Sequence, residues 1–203
     1  WAWGANGFGQ LGDGSTTDRP TPVQIGQGFV QVVAGRFFSM ARKADGSVWT
    51  WGANASGQLG DGTTNQRSSP VRIAGTWAQM GAGTYSGWLM DALGNLYQQG
   101  ISYTAPGSHD TQATWVMSGV AQASAGDGHL LVRKKEGALV ALGDNDSGQL
   151  GIDDNAVGFV STPRVVMASV KAFAAGTTAS VAVGCDGAGT AWGDYGEGQL
   201  GLG

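Results

Sequence analysis

A tandem repeat of about 48 residues constrains this chain more strongly than any other feature of its sequence. The segment WGANGFGQLGDG at 3–14 returns as WGANASGQLGDG at 51–62. Shorter copies that keep G-Q-L-G end at Gly151 and Gly201, and a degenerate copy begins at Gln99. The glycine after the tryptophan position recurs at residues 4, 52, 100, 143 and 193, in steps of 48, 48, 43 and 50 residues. A fixed period of this length is typical of stacked repeats, so we divide the chain into units 5–52, 53–100, 101–143 and 144–193 and a partial unit 194–203.

A second landmark repeats with the same spacing. The dipeptide Ala-Gly ends at residues 35, 83, 126 and 176, in steps of 48, 43 and 50 residues. Short runs rich in Val, Ile, Trp and Tyr lie between the landmarks and predict strands, which in the first unit fall at 23–25, 30–34, 39–43 and 48–52. With 37 glycines spread along 203 residues, a helix would be costly. The sequence therefore predicts an all-β chain of four-stranded antiparallel blades arranged as a β-propeller.

The landmarks W-G-x-N-x-x-G-Q-L-G-x-G, A-G-x-x-H and D-G together resemble the regulator of chromosome condensation repeat family, over essentially the whole chain. That resemblance implies a propeller, commonly of seven blades, so about four repeats would form part of a larger ring. Five Trp-Gly positions stand against four Ala-Gly positions, which favours a fragment. An open arc of blades would expose apolar faces and could self-associate. Few lysines and one cysteine favour a bacterial exported or cell-surface member.

The motif residues have an architectural interpretation. A G-x-G-x-x-G pattern that recurs in blade after blade lacks the strand–helix context of a dinucleotide site, so we predict no cofactor. Glycines allow tight backbone approach, and the glutamines are expected to hydrogen-bond the backbone of their own turns. The residues to which we assign this structural role are Trp3, Gly4, Gln10, Gly12, Trp51, Gly52, Gln58, Gly60, Gln149, Gly151, Trp192, Gly193, Gln199, Gly201 and, at the A-G-x-x-H position, His129.

Three acidic loops contain the oxygen ligands that calcium prefers. They are 13–18, 61–65 and 153–155. Their spacing does not match an EF-hand, and Asp and Asn favour such turns without an ion, so we predict no metal site.

The unit 101–143 abandons G-Q-L-G and holds the candidate binding residues. We expect its divergent segment to form an exposed loop that contacts a partner through Tyr103, His109, Asp110 and Trp115, since exposed aromatic side chains anchor interfaces. Sequence drift is the alternative. The pair His109 and Asp110 has no accompanying nucleophile with a recognisable motif, and Cys185 has no histidine partner, so no catalytic residue is predicted.

Charge and hydropathy narrow the function classes. Eleven basic residues and a formal net charge of −4 argue against a nucleic-acid partner, and no apolar run reaches the length of a membrane span. The leading hypothesis is a non-enzymatic protein-interaction scaffold whose partner is bound by loops on one face. The resemblance offers, as alternatives, a guanine-nucleotide exchange factor-like regulator of a small GTPase or an enzyme-inhibitor module. A lectin-like binding module is a further alternative.

Overall fold

The computed structural model describes residues 1–152 and 157–200, and every regular element within those ranges is a β-strand. No helix occurs there, and hence none that could span a membrane. The strands, in chain order, are β1 (Ala2–Gly4), β2 (Arg19–Val23), β3 (Phe29–Ala34), β4 (Phe38–Lys43), β5 (Val48–Gly52), β6 (Arg67–Arg72), β7 (Gln79–Ala82), β8 (Ser86–Met90), β9 (Leu96–Ile101), β10 (His109–Met117), β11 (Val120–Ala125), β12 (His129–Lys134), β13 (Leu139–Asp144), β14 (Phe159–Met167), β15 (Val170–Ala175), β16 (Ala179–Gly184) and β17 (Gly189–Gly193).

Consecutive strands pair antiparallel in five sheets. Strands β3–β6, β7–β10 and β11–β14 form three four-stranded sheets, which we call the first, second and third blades. Strands β15–β17 form the three-stranded fourth blade, and β1 with β2 forms an N-terminal pair. The prediction of an all-β chain with four-stranded antiparallel blades is confirmed.

The blades are offset by one strand from the sequence units. Strand β6 lies beyond the second Trp-Gly position, yet it pairs with β5 of the first blade, with Trp49 opposite Arg72. The strand expected at 23–25 is instead β2, which ends at Val23 and pairs with β1. Grouping that segment with β3–β5 was therefore wrong. The long G-Q-L-G loop reverses the chain and returns it to the sheet that it has just left.

The hydrophobic core lies between neighbouring blades. One cluster joins the first and second blades and includes Met40 and Leu89, which are both fully buried. Equivalent clusters join the second blade to the third and the third to the fourth. Because the middle strands are covered on both faces, β12 begins with four consecutive buried residues instead of an alternating pattern. Complete burial of each large apolar side chain contributes roughly 1.5–3 kcal/mol to stability.

The innermost strands define a common axis. Strands β3, β7, β11 and β15 are in successive contact, and their Ala-Gly ends surround a central cavity of about 470 Å³. The connections that follow Ala-Gly and the G-Q-L-G loops lie at one end of the strands, which we call the loop face. The Asp-Gly type turns, such as 44–47 and 135–138, lie at the opposite end, the turn face.

Candidate functional site

The motif glutamines shape their own loops. The Oε1 atoms of Gln10, Gln58 and Gln149 each accept a hydrogen bond from the backbone N–H two residues earlier, at 2.9 Å. Gln199 makes the same bond at 2.8 Å. These side chains are therefore part of the loop structure, as the sequence predicts.

The motif tryptophans connect each loop to the next blade. Trp51 Nε1 donates to the main-chain carbonyl of Gln10 at 2.8 Å, and Trp192 Nε1 donates to that of Gln149 at 2.9 Å. In the second blade Gln99 replaces the tryptophan, and its Nε2 donates to the carbonyl of Gln58 at 2.9 Å. The recurrent indole is thus an inter-blade hydrogen-bond donor. Trp3, in the N-terminal pair, is exposed.

The last glycine of G-Q-L-G is required by this contact. Gly12 has φ +77°, and a Cβ there would lie 2.7 Å from Trp51 Nε1. Gly151 stands in the same relation to Trp192. Gly4, Gly52, Gly60 and Gly193 share the positive φ. Gly201 and the acidic segment 153–155 lie outside the described residues.

The first carboxylates of the acidic loops 13–18 and 61–65 are bound by protein groups. Asp13 accepts hydrogen bonds from the hydroxyl of Ser15 at 2.7 Å and from Arg19 Nε at 2.6 Å. The Ser15 bond, followed by Arg19, holds the pKa of Asp13 well below its ordinary value. Asp61 repeats the arrangement in the next loop. Within 1–152 and 157–200, no group of three or more His, Cys, Asp or Glu side chains is placed to hold a metal ion.

The prediction that Tyr103 lies in an exposed loop is wrong, because its side chain is fully buried. Its backbone N–H donates to Gln98 Oε1 at 3.0 Å, just as the N–H of Leu11 donates to Asn6 Oδ1 at 2.9 Å. Its ring thus takes the place of the motif leucine. Its hydroxyl forms a hydrogen bond with the hydroxyl of Ser86. Burial raises the pKa of Tyr103. A residue in this position cannot contact a partner.

The other three candidate residues do not converge on one site. His109 is exposed at the start of β10, and Trp115 is 57% exposed near its end. Six strand positions separate them, about 20 Å. Asp110 is occupied internally, because it accepts bonds from Gln98 Nε2 at 2.7 Å and Thr114 Oγ1 at 2.9 Å.

His129 is buried between the third and fourth blades. Its Nε2 lies 2.9 Å from Ser180 Oγ, and that hydroxyl donates its proton to the carbonyl of Gln149 at 2.8 Å. The hydroxyl must therefore accept from Nε2–H, which leaves the lone pair of the neutral imidazole on Nδ1, a buried atom with no hydrogen-bond partner among the described residues. Burial lowers the pKa of His129 to about 4.

A stacked group of side chains on the loop face was missed by the sequence reasoning. The guanidinium carbon of Arg36 lies 5.0 Å from the ring centre of Phe37 and 5.8 Å from that of Tyr85. Arg36 Nη1 also donates to the Tyr85 hydroxyl at 2.8 Å, and the rings of Phe8 and Phe37 lie 4.9 Å apart. We call Phe8, Arg36, Phe37 and Tyr85 the aromatic–arginine arc.

The arc occupies the variable positions of a constant frame. Arg36 and Phe37 fill the two x positions of A-G-x-x-H, where the other blades carry Thr84 and Tyr85, residues 127–128, or residues 177–178. The sequence did carry a signal for this site: the two residues vary between the copies within this chain, while the length of the turn stays constant.

Comparisons with known proteins agree with this architecture. Two models described as regulator of chromosome condensation (RCC1) repeat match the chain, one at residues 1–42 and 45–86 and the other at 29–58. The dog X-linked retinitis pigmentosa GTPase regulator is 36% identical over 87 residues, which cover 39% of this chain and 8% of that protein.

Solved structures match along nearly the whole length. Human WBSCR16 has a TM-score of 0.80 at 24% identity, over 98% of this chain and 57% of its own. Prp20p from Saccharomyces cerevisiae has a TM-score of 0.80 at 21% identity, over 99% and 54%. The chain therefore spans little more than half the length of these structures. Together with the landmarks placed above, these matches show that the chain contains RCC1 repeats, matched directly over residues 1–86, and that it has the fold of part of an RCC1-type β-propeller.

Proposed function

We propose that this chain is a protein-interaction module whose loop face binds a partner protein, with the aromatic–arginine arc as the anchor. The arc itself carries the proposal. Phe8 is 43% exposed and Arg36 is exposed, while Phe37 and Tyr85 are half-buried. Aromatic and arginine side chains are the residues most enriched at interface hot spots.

The geometry of the arc favours binding because its side chains are already ordered. Arg36 is held by the Tyr85 hydroxyl, and its backbone N–H donates across the blade boundary to Thr84 at 3.3 Å. A side chain that is fixed before binding loses less conformational entropy when a partner arrives, so more of its contact energy appears as affinity.

Similar proteins support a protein partner. The report of the Prp20p structure concerns its binding to Gsp1p and histones, and a second structure holds yeast RCC1 (Prp20) with Kap60 bound. The dog relative is named as a GTPase regulator. These matches support the general role of protein binding. A specific scaffold, nucleotide exchange, enzyme inhibition and lectin-like binding are outcomes that the experiment must separate.

The test is affinity capture from the native source with the wild-type chain and three variants. The double variant R36A/F37A removes the two central side chains of the arc, L93A changes a 76% exposed residue of the turn face, and W115A changes an exposed residue of strand β10. We expect one partner to be captured by wild type, L93A and W115A and to be lost with R36A/F37A. Titration with that purified partner should show at least tenfold weaker binding for the double variant.

Other outcomes would redirect or contradict the proposal. Equal capture by wild type and R36A/F37A would contradict it, and loss with W115A alone would instead support binding at strand β10. If the partner is a small GTPase, acceleration of nucleotide release by the chain would favour exchange over a passive scaffold. Binding of a glycan with no captured protein would favour a lectin-like role.

A further inference from the structure

A small pocket opens on the loop face where the arc ends. It lies between the second and third blades, with a volume of about 320 Å³. Tyr85, the last residue of the arc, forms one wall, and Ile101, Pro106 and Phe159 provide apolar surface. This size is at the small end of ligand pockets, suitable for a single side chain but not for a large cofactor.

Two carboxylates line the same pocket without a cation. Asp127 and Asp144 both belong to its lining, and neither forms an ion pair within the described part of the chain. Asp127 Oδ1 is inaccessible to water and has no hydrogen-bond partner there. Asp144 Oδ1 accepts a single bond, from the backbone N–H of Asp146 at 3.3 Å. A donor that enters the pocket would meet the other carboxylate oxygens, Asp127 Oδ2 and Asp144 Oδ2, which accept no hydrogen bond within the described residues, and would balance the two negative charges.

We propose that this pocket receives a basic side chain, arginine or lysine, presented by the protein that the loop face binds. The charged end meets Asp127 and Asp144, and the aliphatic stem packs on Ile101, Pro106 and Phe159. The ring of Tyr85 adds a cation–π contact. A metal ion fits less well, since two carboxylates provide far fewer oxygens than calcium requires.

The pocket also explains how the loop face could select a partner. The arc contributes Arg36, which favours an acidic or aromatic neighbour, while the pocket favours a positive charge beside it. A partner surface with both features, a basic side chain next to an acidic or aromatic patch, would satisfy the two parts at once. Charges of opposite sign across an interface determine how the two proteins align more than they raise the affinity.

The test uses a minimal probe, so that it does not depend on isolating the partner. Nα-acetyl-arginine methylamide is titrated into the ¹⁵N-labelled chain, with the citrulline analogue as a neutral control of the same shape. We expect saturable amide shifts at Gly107 and Gly128, weak in absolute affinity and absent with citrulline. The variants D127N and D144N should each weaken binding at least tenfold, whereas D186N, on the turn face, should leave it unchanged.

This inference rests on the proposed function for the identity of the partner protein. The outcomes of the test separate the two. Equal shifts with arginine and citrulline, or undiminished binding in both D127N and D144N, would overturn the pocket assignment even if the arc still captured a partner. Arginine binding that both variants lose would support the pocket even if R36A/F37A left capture intact. Two separate variants keep the test valid if one fails to fold.

Discussion

Acidification should destabilise the protein through His129 at pH values above those at which the carboxylates with a lowered pKa, such as Asp13, lose their stabilising contribution. Burial lowers the pKa of His129 from 6.5 to about 4, so the unfolded state takes up a proton first as the pH falls. The neutral imidazole contributes its full stability above pH 6.5, and that contribution is lost as the pH falls from 6.5 towards 4. At about 1.4 kcal/mol per pH unit, the loss over this window is about 3 kcal/mol.

The assay is urea denaturation at several pH values between about 4 and 7.5. We compare wild type with H129F, because Phe38 occupies the equivalent position of the first blade, and with H129Q in case the phenyl ring does not fit. The unfolding free energy of these variants should change much less between pH 6.5 and 4. H109Q removes the exposed histidine and should keep the wild-type slope.

Carboxylates with a lowered pKa, such as Asp13, do not account for a loss of unfolding free energy between pH 6.5 and 4. Their stabilising contribution is present above pH 3.8 and is lost only as the pH falls further. A wild-type free energy that stays level between pH 6.5 and 4, or an H129F slope equal to that of wild type, would refute the reasoning.

Three further substitutions test the architecture, each by its free energy of unfolding. Gly12→Ala should cost about 2–4 kcal/mol, from the left-handed backbone and the clash with the indole, whereas Gly107→Ala, at φ +72° with open space, should cost only about 1 kcal/mol. Equal costs would remove the steric argument. Trp51→Phe should cost about 1 kcal/mol through the lost bond to the preceding loop, and the exposed Trp115→Phe less than about 0.5 kcal/mol. Tyr103→Phe should cost about 1–3 kcal/mol, because its buried serine partner is left unsatisfied; a neutral effect would contradict the hydrogen bond.

The recurrence of the landmarks was sufficient to predict the fold class but not the strand pairing. The period fixes the length of a unit but not the residue at which the unit begins. Any shift of the unit boundary along the chain therefore fits the sequence equally well. Which strand completes a sheet depends on hydrogen bonds between β5 and β6, made after a long loop. No local pattern in the sequence records that return, so the predicted blades were displaced by one strand.

The divergent unit misled the site prediction for a related reason. Loss of G-Q-L-G suggested an exposed loop, yet the chain preserved the buried contact by other means. Gln98, in the middle of β9, supplies the acceptor that Asn6 supplies in the first copy, and Tyr103 fills the leucine position. The residue types differ between the two copies, while the hydrogen bond and the burial of the side chain are the same.

The aromatic–arginine arc escaped prediction because its contacts cross blades. Arg36 and Tyr85 are 49 residues apart and meet only when two blades pack side by side. In hindsight the variable dipeptide after Ala-Gly was informative, since the frame around it is constant. Asp127 occupies the same kind of position one blade further on, at the mouth of the proposed pocket.

The most direct test of the central claim is hydrogen exchange of the chain alone and with its purified partner. If the loop face binds, amides in the connections 35–37, 83–85 and 126–128 should exchange more slowly in the complex, while the turns 44–47 and 135–138 should be unchanged. Slower exchange confined to the turn face, with the loop face unaffected, would contradict the account.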